Sequence, residues 1–245
     1  MRHEEITYTI DSKIFKGYLV LPNVTYQHPW PAVLVAPAFW GRDDFACEKA
    51  RALAALGYIA FVADMYGDAK VTTNPLEAGA WMTPLFKDRA ELQKRIRAAF
   101  DQLISRHEVD KSKMGAIGFC FGGLGVLELL RSGAPVKGCV SFHGALADQM
   151  GGNKAKTVPI AKDIKGAFLA LHGYKDPLVS NADLDKLEKE LSAANIDWEI
   201  NIYGLAAHAF TNPIANDPKT GMAYEPKTNA RSWAAMKNFF EEMLS

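Results

Sequence analysis

What most constrains this chain is a series of continuous apolar runs, each short enough for a strand. PAVLVAPAF (31–39), YIAFVADMY (58–66), KMGAIGFC (113–120), VKGCVSFHG (136–144) and GAFLALHG (166–173) do not alternate apolar with polar residues. Strands covered on both faces read this way. DWEINIYG (197–204) reads as a further strand. Between and after these runs, 44–56, 84–107, 121–132, 181–195 and 227–243 read as helices. In 84–107 the apolar positions are Leu85, Leu92, Ile96, Phe100 and Leu103, at helical spacing with charges between them. Strands alternating with helices predict an α/β fold: a mostly parallel central sheet with helices on both faces. Residues 4–21 differ. Two short strands joined at Asp11-Ser12 predict an antiparallel hairpin at the N-terminal end. The length of 245 residues, about half of them apolar, suits one domain spanning 1–245. Two long loops remain, 144–165 and 205–226, a length at which loops in compact domains are often functional.

Charge narrows the partners. With 28 basic and 28 acidic residues, formal net charge is zero. No basic stripe points to nucleic acid. The start, MRHEEITYTI, lacks the apolar core of a signal peptide. No stretch reaches the roughly 18 uninterrupted apolar residues of a membrane span. Cys47, Cys120 and Cys139 are too few and too scattered for a disulfide framework or a zinc site. A cytoplasmic protein with reduced thiols is expected.

One thiol stands apart. Cys120 sits in GFCFGG, where a strand gives way to a helix. A sharp turn there crowds its neighbours, and Gly118 and Gly122 relieve the crowding. Gly123 lets the helix approach closely. This is the pattern of a nucleophile elbow, with cysteine in place of serine. The N-terminus of the helix that follows favours negative charge, and so the thiolate.

Such a thiol needs a base, and the base an orienting acid. His3, His28 and His107 lie away from strand ends and read as surface residues. His143 and His172 follow strands closely and are expected to pack the site or bond to backbone. His208, in YGLAAHAF after the last strand, has room to reach over the sheet. Asp176, in HGYKDPLVS, stands between nucleophile and base in the chain, as the hydrolase order requires. Asp148 is its rival on an earlier loop. Cys120, Asp176 and His208 are therefore the expected catalytic residues.

With GFCFGG around Cys120, HGYKD around Asp176 and HAF around His208, nearly the whole chain resembles the dienelactone hydrolase (carboxymethylenebutenolidase-like) family of α/β-hydrolases. The resemblance implies the α/β-hydrolase fold and hydrolysis of carboxylic esters or lactones without metal or cofactor, on a small-molecule substrate. It also implies an oxyanion hole from the backbone N–H groups of Phe39 and Phe121. Two positions depart from the family pattern. Members acting on dienelactone carry a glutamate where this chain has Ala38, and an arginine where it has Asn212. Arg89 is a candidate for a second guanidinium. Trp40, Trp81, Phe210 and Asn212 are candidates for the substrate pocket, with Phe39, Phe119 and Phe121 as further possible lining; core packing is the competing reading for each aromatic. A general esterase or thioesterase, or a non-catalytic binding module on the same fold, are the alternative functions. A monomer or small homo-oligomer is expected.

Overall fold

The computed structural model describes residues 1–23 and 29–245; His28 lies outside them. Strands β1 (Arg2–Ile10) and β2 (Lys13–Leu21) form the N-terminal hairpin. Its turn residues Asp11 and Ser12 both take positive φ, 46° and 67°. Such two-residue turns match the right-handed twist of the paired strands. Next come β3 (Trp30–Ala36), α1 (Asp44–Ala55), β4 (Ile59–Val62), α2 (Pro75–Lys87), α3 (Arg89–Ile104), β5 (Val109–Phe119) and α4 (Phe121–Arg131). Then follow β6 (Gly138–Phe142), the short β7 (Gln149–Met150) and β8 (Asn153–Lys154), β9 (Ala167–Gly173), α5 (Asn181–Ala193) and β10 (Trp198–Tyr203). The short β11 (Asn216–Asp217) and β12 (Met222–Ala223) precede α6 (Pro226–Met243).

Eight strands make one sheet in the order β1-β2-β4-β3-β5-β6-β9-β10. From β4 to β10 every neighbouring pair is parallel. The continuous apolar runs are explained by two cores, one on each face. Along β3, Ala32, Leu34 and Ala36 enter a core shared with α3, α4 and α5, while Val33 and Val35 enter a second with α1 and α6. Because the central strands are parallel, their carboxyl ends share one edge. Ligands bind at that edge in open α/β sheets.

The expected helix over 84–107 is two helices. Asp88 is extended, and its carboxylate accepts from the N–H groups of Ala90 and Glu91. That cap starts α3 afresh although the apolar spacing continues through it. Helix α2 begins behind its own cap, Asn74, with Pro75 in its first turn. Both long loops carry small hairpins, β7–β8 within 144–165 and β11–β12 within 205–226.

Arg89 requires a correction. It is 0% exposed and has no surface to offer a substrate. Its guanidinium lies 4.5 Å from the centre of the Phe86 ring, donates to the Ala147 carbonyl at 3.2 Å and stands 3.9 Å from Glu128. Position at the start of α3, facing α4, puts it inside the helical layer. Glu128 is the hub there: it accepts from Arg131 at 2.7 Å and from Gln93 at 2.8 Å. Removing one partner of a buried ion pair strands the others and costs about 3–5 kcal/mol. Glu128→Ala should lose stability of that order in urea denaturation. A loss under about 1 kcal/mol would mean that Arg89 and Arg131 find other partners or water.

Candidate functional site

The elbow is built from backbone packed on backbone. Cys120, between β5 and α4, has φ 54° and ψ −117°, a conformation few side chains tolerate. Its N–H donates to the Phe142 carbonyl at 3.1 Å, and its own carbonyl accepts from Gly123 and Ala145, both at 3.0 Å. A Cβ on Gly118 would fall 2.0 Å from the Gly122 carbonyl oxygen, and one on Gly122 would fall 2.0 Å from that of Ala36. One on Gly123 would meet Ser141 Oγ at 2.4 Å. Glycine is the residue these approaches admit.

The residues that follow the parallel strands converge on this edge. Asp176 turns back after β9, its N–H donating to the Gly173 carbonyl. One carboxylate oxygen accepts from the Leu178 N–H at 2.9 Å, and the other lies 2.7 Å from His208 Nδ1. The loop bearing His208 is tied down: its N–H donates to the Gly221 carbonyl and its own carbonyl accepts from Ala223. Burial alone would lower the pKa of His208. The influence of the neighbouring Cys120 and the hydrogen bond that the ring donates to the Asp176 carboxylate outweigh burial and raise it to about 10. His208 Nε2 is buried, and Cys120 is the neighbour that acts most on the ring.

Asp148, the rival acid, is among the charges that act on buried Arg89. His3 and His107 are exposed. Phe121, first in α4, has a backbone N–H with no intrahelical acceptor. Among the described residues, no acceptor takes the Phe39 N–H. Trp40 is half-buried, its ring 4.1 Å from that of Phe39; Trp81 lies 5.5 Å from the Tyr66 ring. Asn212 is half-buried and caps its own loop by accepting from the Ile214 N–H. Phe210 is a second correction. It is fully buried behind His143, edge to face at 5.0 Å, because it points into the α1–α6 core.

Two residues not expected at the site, Tyr66 and Thr211, stand near it or brace it, together with His143. The Tyr66 hydroxyl donates to the Phe39 carbonyl at 3.1 Å. Burial, and then the charge of Cys120, hold that hydroxyl in its protonated form. Tyr66 ends the apolar run 58–66, so its place beyond a strand was a usable signal. His143, read as packing, shares a 2.7 Å hydrogen bond with Thr211, and its ring stands edge to face with His208 at 5.1 Å. Nothing in the sequence marked Thr211. Burial and the neighbouring His208 charge keep His143 neutral; burial also lowers His172. Cys47 and Cys139 are buried free thiols, each pushed up by burial. Among the described residues no cluster of His, Cys, Asp and Glu is arranged to hold a metal ion, and no helix is long and apolar enough to cross a membrane.

Comparison with known proteins identifies the family. Residues 15–244 match the model of the Dienelactone hydrolase family. The chain is similar to the solved structure named m3DLH, at 41% identity and a TM-score of 0.90, covering 100% of this chain and 99% of that one. It is also similar to a dienelactone hydrolase-like promiscuous phosphotriesterase from metagenomic libraries, at 38% identity and a TM-score of 0.90 over the same shares. A Yersinia pestis protein named a candidate carboxymethylenebutenolidase is 29% identical, over 92% of this chain and 83% of that one.

The elbow geometry makes a paired prediction. Gly122→Ala must displace the Ala36 backbone and should destabilise the protein by about 1–3 kcal/mol. Gly79→Ala, in α2 with open space around it, should stabilise by roughly 0.5–1 kcal/mol. Urea midpoints moving in the same direction for both would contradict the packing described.

Proposed function

The chain belongs to the dienelactone hydrolase family and is a carboxylic ester hydrolase, and from that premise we propose that it works through Cys120, His208 and Asp176 with a thioester intermediate. The observation that carries the reading is His208 itself. One ring nitrogen is held by Asp176 at 2.7 Å, and the neighbouring Cys120 is the largest influence raising the ring's pKa.

In the proposed cycle the Cys120 thiolate attacks the carbonyl carbon, and a C–S bond forms. The oxyanion is met by the N–H groups of Phe39 and Phe121. Losing one such donor typically costs about 10²–10³ in turnover. The intermediate collapses, the C–O bond breaks, and His208 protonates the departing alkoxide. Neutral His208 then takes a proton from water, whose oxygen attacks the thioester. Collapse releases the carboxylic acid and restores the thiolate. An amine leaves less readily than the thiolate, so strained lactones and activated esters suit the site better than amides.

Ala38 leaves the family's activating glutamate without a counterpart. Asp43, the nearest carboxylate in sequence, is occupied as the cap of α1, accepting from the Ala46 N–H at 3.0 Å. The proposal is therefore that His208 activates the thiol directly. Reduced thiols fit a cytoplasmic setting. The likeness to a phosphotriesterase favours a second activity, attack of the same thiolate on a phosphate triester.

Cys120→Ala should abolish turnover of a small aryl ester, by roughly 10⁴-fold or more. A diethyl aryl phosphate should be hydrolysed slowly and lose turnover in the same variant. Persistence of ester turnover in Cys120→Ala would exclude the proposed nucleophile. For an alkyl ester, whose leaving group needs the proton, kcat/KM should hold through neutral pH and fall as pH passes about 10. The sign follows from the raised pKa, since the acid is present below that value and lost above it. Asp176→Asn removes a hydrogen bond that raises it. The alkaline limb should then move down by about one pH unit or more; an unmoved limb would exclude Asp176 as the orienting acid.

A further inference from the structure

Beside the base, on the side formed by β6, one residue is held in a costly conformation. His143 has φ 39°, unusual for a bulky side chain. It is fixed there by its N–H, which donates to the Leu171 carbonyl at 2.8 Å. Outliers of this kind cost of order 1–3 kcal/mol and persist where the surroundings over-determine them. The surroundings do so here. The ring is buried among Phe119, Phe210 and His208, and its Nε2 is 2.7 Å from the Thr211 hydroxyl. Thr211 is itself buried and lies three residues after His208 on the same loop. One imidazole thus touches the base ring directly and grips the base loop.

We propose that His143 is a positioning residue for the base: with Thr211 it locks the loop of His208 to the end of β6 and sets the direction of the His208 ring. This rests on the reading of His208 as the base. The ionisable groups around His143 are His208 on the loop, His172 on β9 and Lys49 on α1. The Lys49 ammonium is boxed by the rings of Phe45, Trp233 and Phe119. All three are cationic when protonated, so a neutral His143 adds no like charge beside His208.

The test uses His143→Leu, His143→Gln, Thr211→Val and the double variant His143→Leu/Thr211→Val in the full chain, with urea midpoints checked first. His143→Gln keeps a group able to reach the Thr211 hydroxyl. A base displaced by about 1 Å can cost around 100-fold. His143→Leu should therefore lower kcat for an aryl ester by about 10- to 100-fold with KM changed less than about threefold. His143→Gln should recover most of that loss, and Thr211→Val should share it. The double variant should be no worse than the worse single, since the two residues act as one unit. The pH dependence of Cys120 alkylation by iodoacetamide reads the thiol–imidazole pairing without ester turnover, and it should shift in His143→Leu. If wild-type protein turns over no ester, the proposed function fails while alkylation still tests the positioning. Wild-type kcat and an unshifted alkylation profile in a folded His143→Leu would overturn the proposal. So would fully additive losses in the double variant.

Discussion

Everything at the candidate site depends on two backbones meeting where β5 turns into α4. Gly122 packs against the carbonyl of Ala36 so closely that a single added carbon would collide with it. That contact brings the end of β3 beside the start of α4. Phe39 therefore follows one of the two adjoining strand ends and Phe121 the other. The strained Cys120 backbone is the cost of this approach, and it is held by hydrogen bonds to β6 and the loop beyond it. Separate the two backbones, and the turn that carries Cys120 loses the packing that holds it.

Around this focus the sheet supplies one group per strand end. Tyr66 follows β4, His143 follows β6, and Asp176 follows β9. His208 arrives from beyond β10 on a loop that is sewn to β12 by backbone hydrogen bonds. The parallel arrangement explains why residues so far apart in the chain can act together. Electrostatics then separates three buried histidines with similar surroundings. His208 gains a carboxylate and a thiol as neighbours and keeps its proton; His143 and His172 gain mainly burial and lose theirs.

Much of this was legible in the residues. Continuous apolar runs mark strands buried on both faces; strand ends together with the hydrolase chain order make Cys120, Asp176 and His208 the expected residues, and the fold brings Asp176 within 2.7 Å of His208. The misreadings have definite causes. Apolar spacing runs unbroken across Asp88, so only its capping side chain reveals the break between α2 and α3. Arg89 was a candidate guanidinium for the substrate, yet it is fully buried inside the helical layer. Its partner Glu128 lies on another helix, a pairing that one-dimensional spacing does not encode. Phe210 sits near His208 in sequence yet faces the other core. Thr211 has no local signature, since its importance comes only from the imidazole across the loop.

The central claim is that carbonyl carbon becomes bonded to the Cys120 sulfur during turnover. Rapid quenching in acid during hydrolysis of an aryl ester, followed by intact-mass and peptide mass spectrometry, tests it most directly. The account predicts one added acyl group, mapped to the peptide carrying Cys120 and removed by hydroxylamine at neutral pH. Acyl label on another residue that forms and decays at the rate of turnover, with Cys120 unmodified throughout, would contradict it.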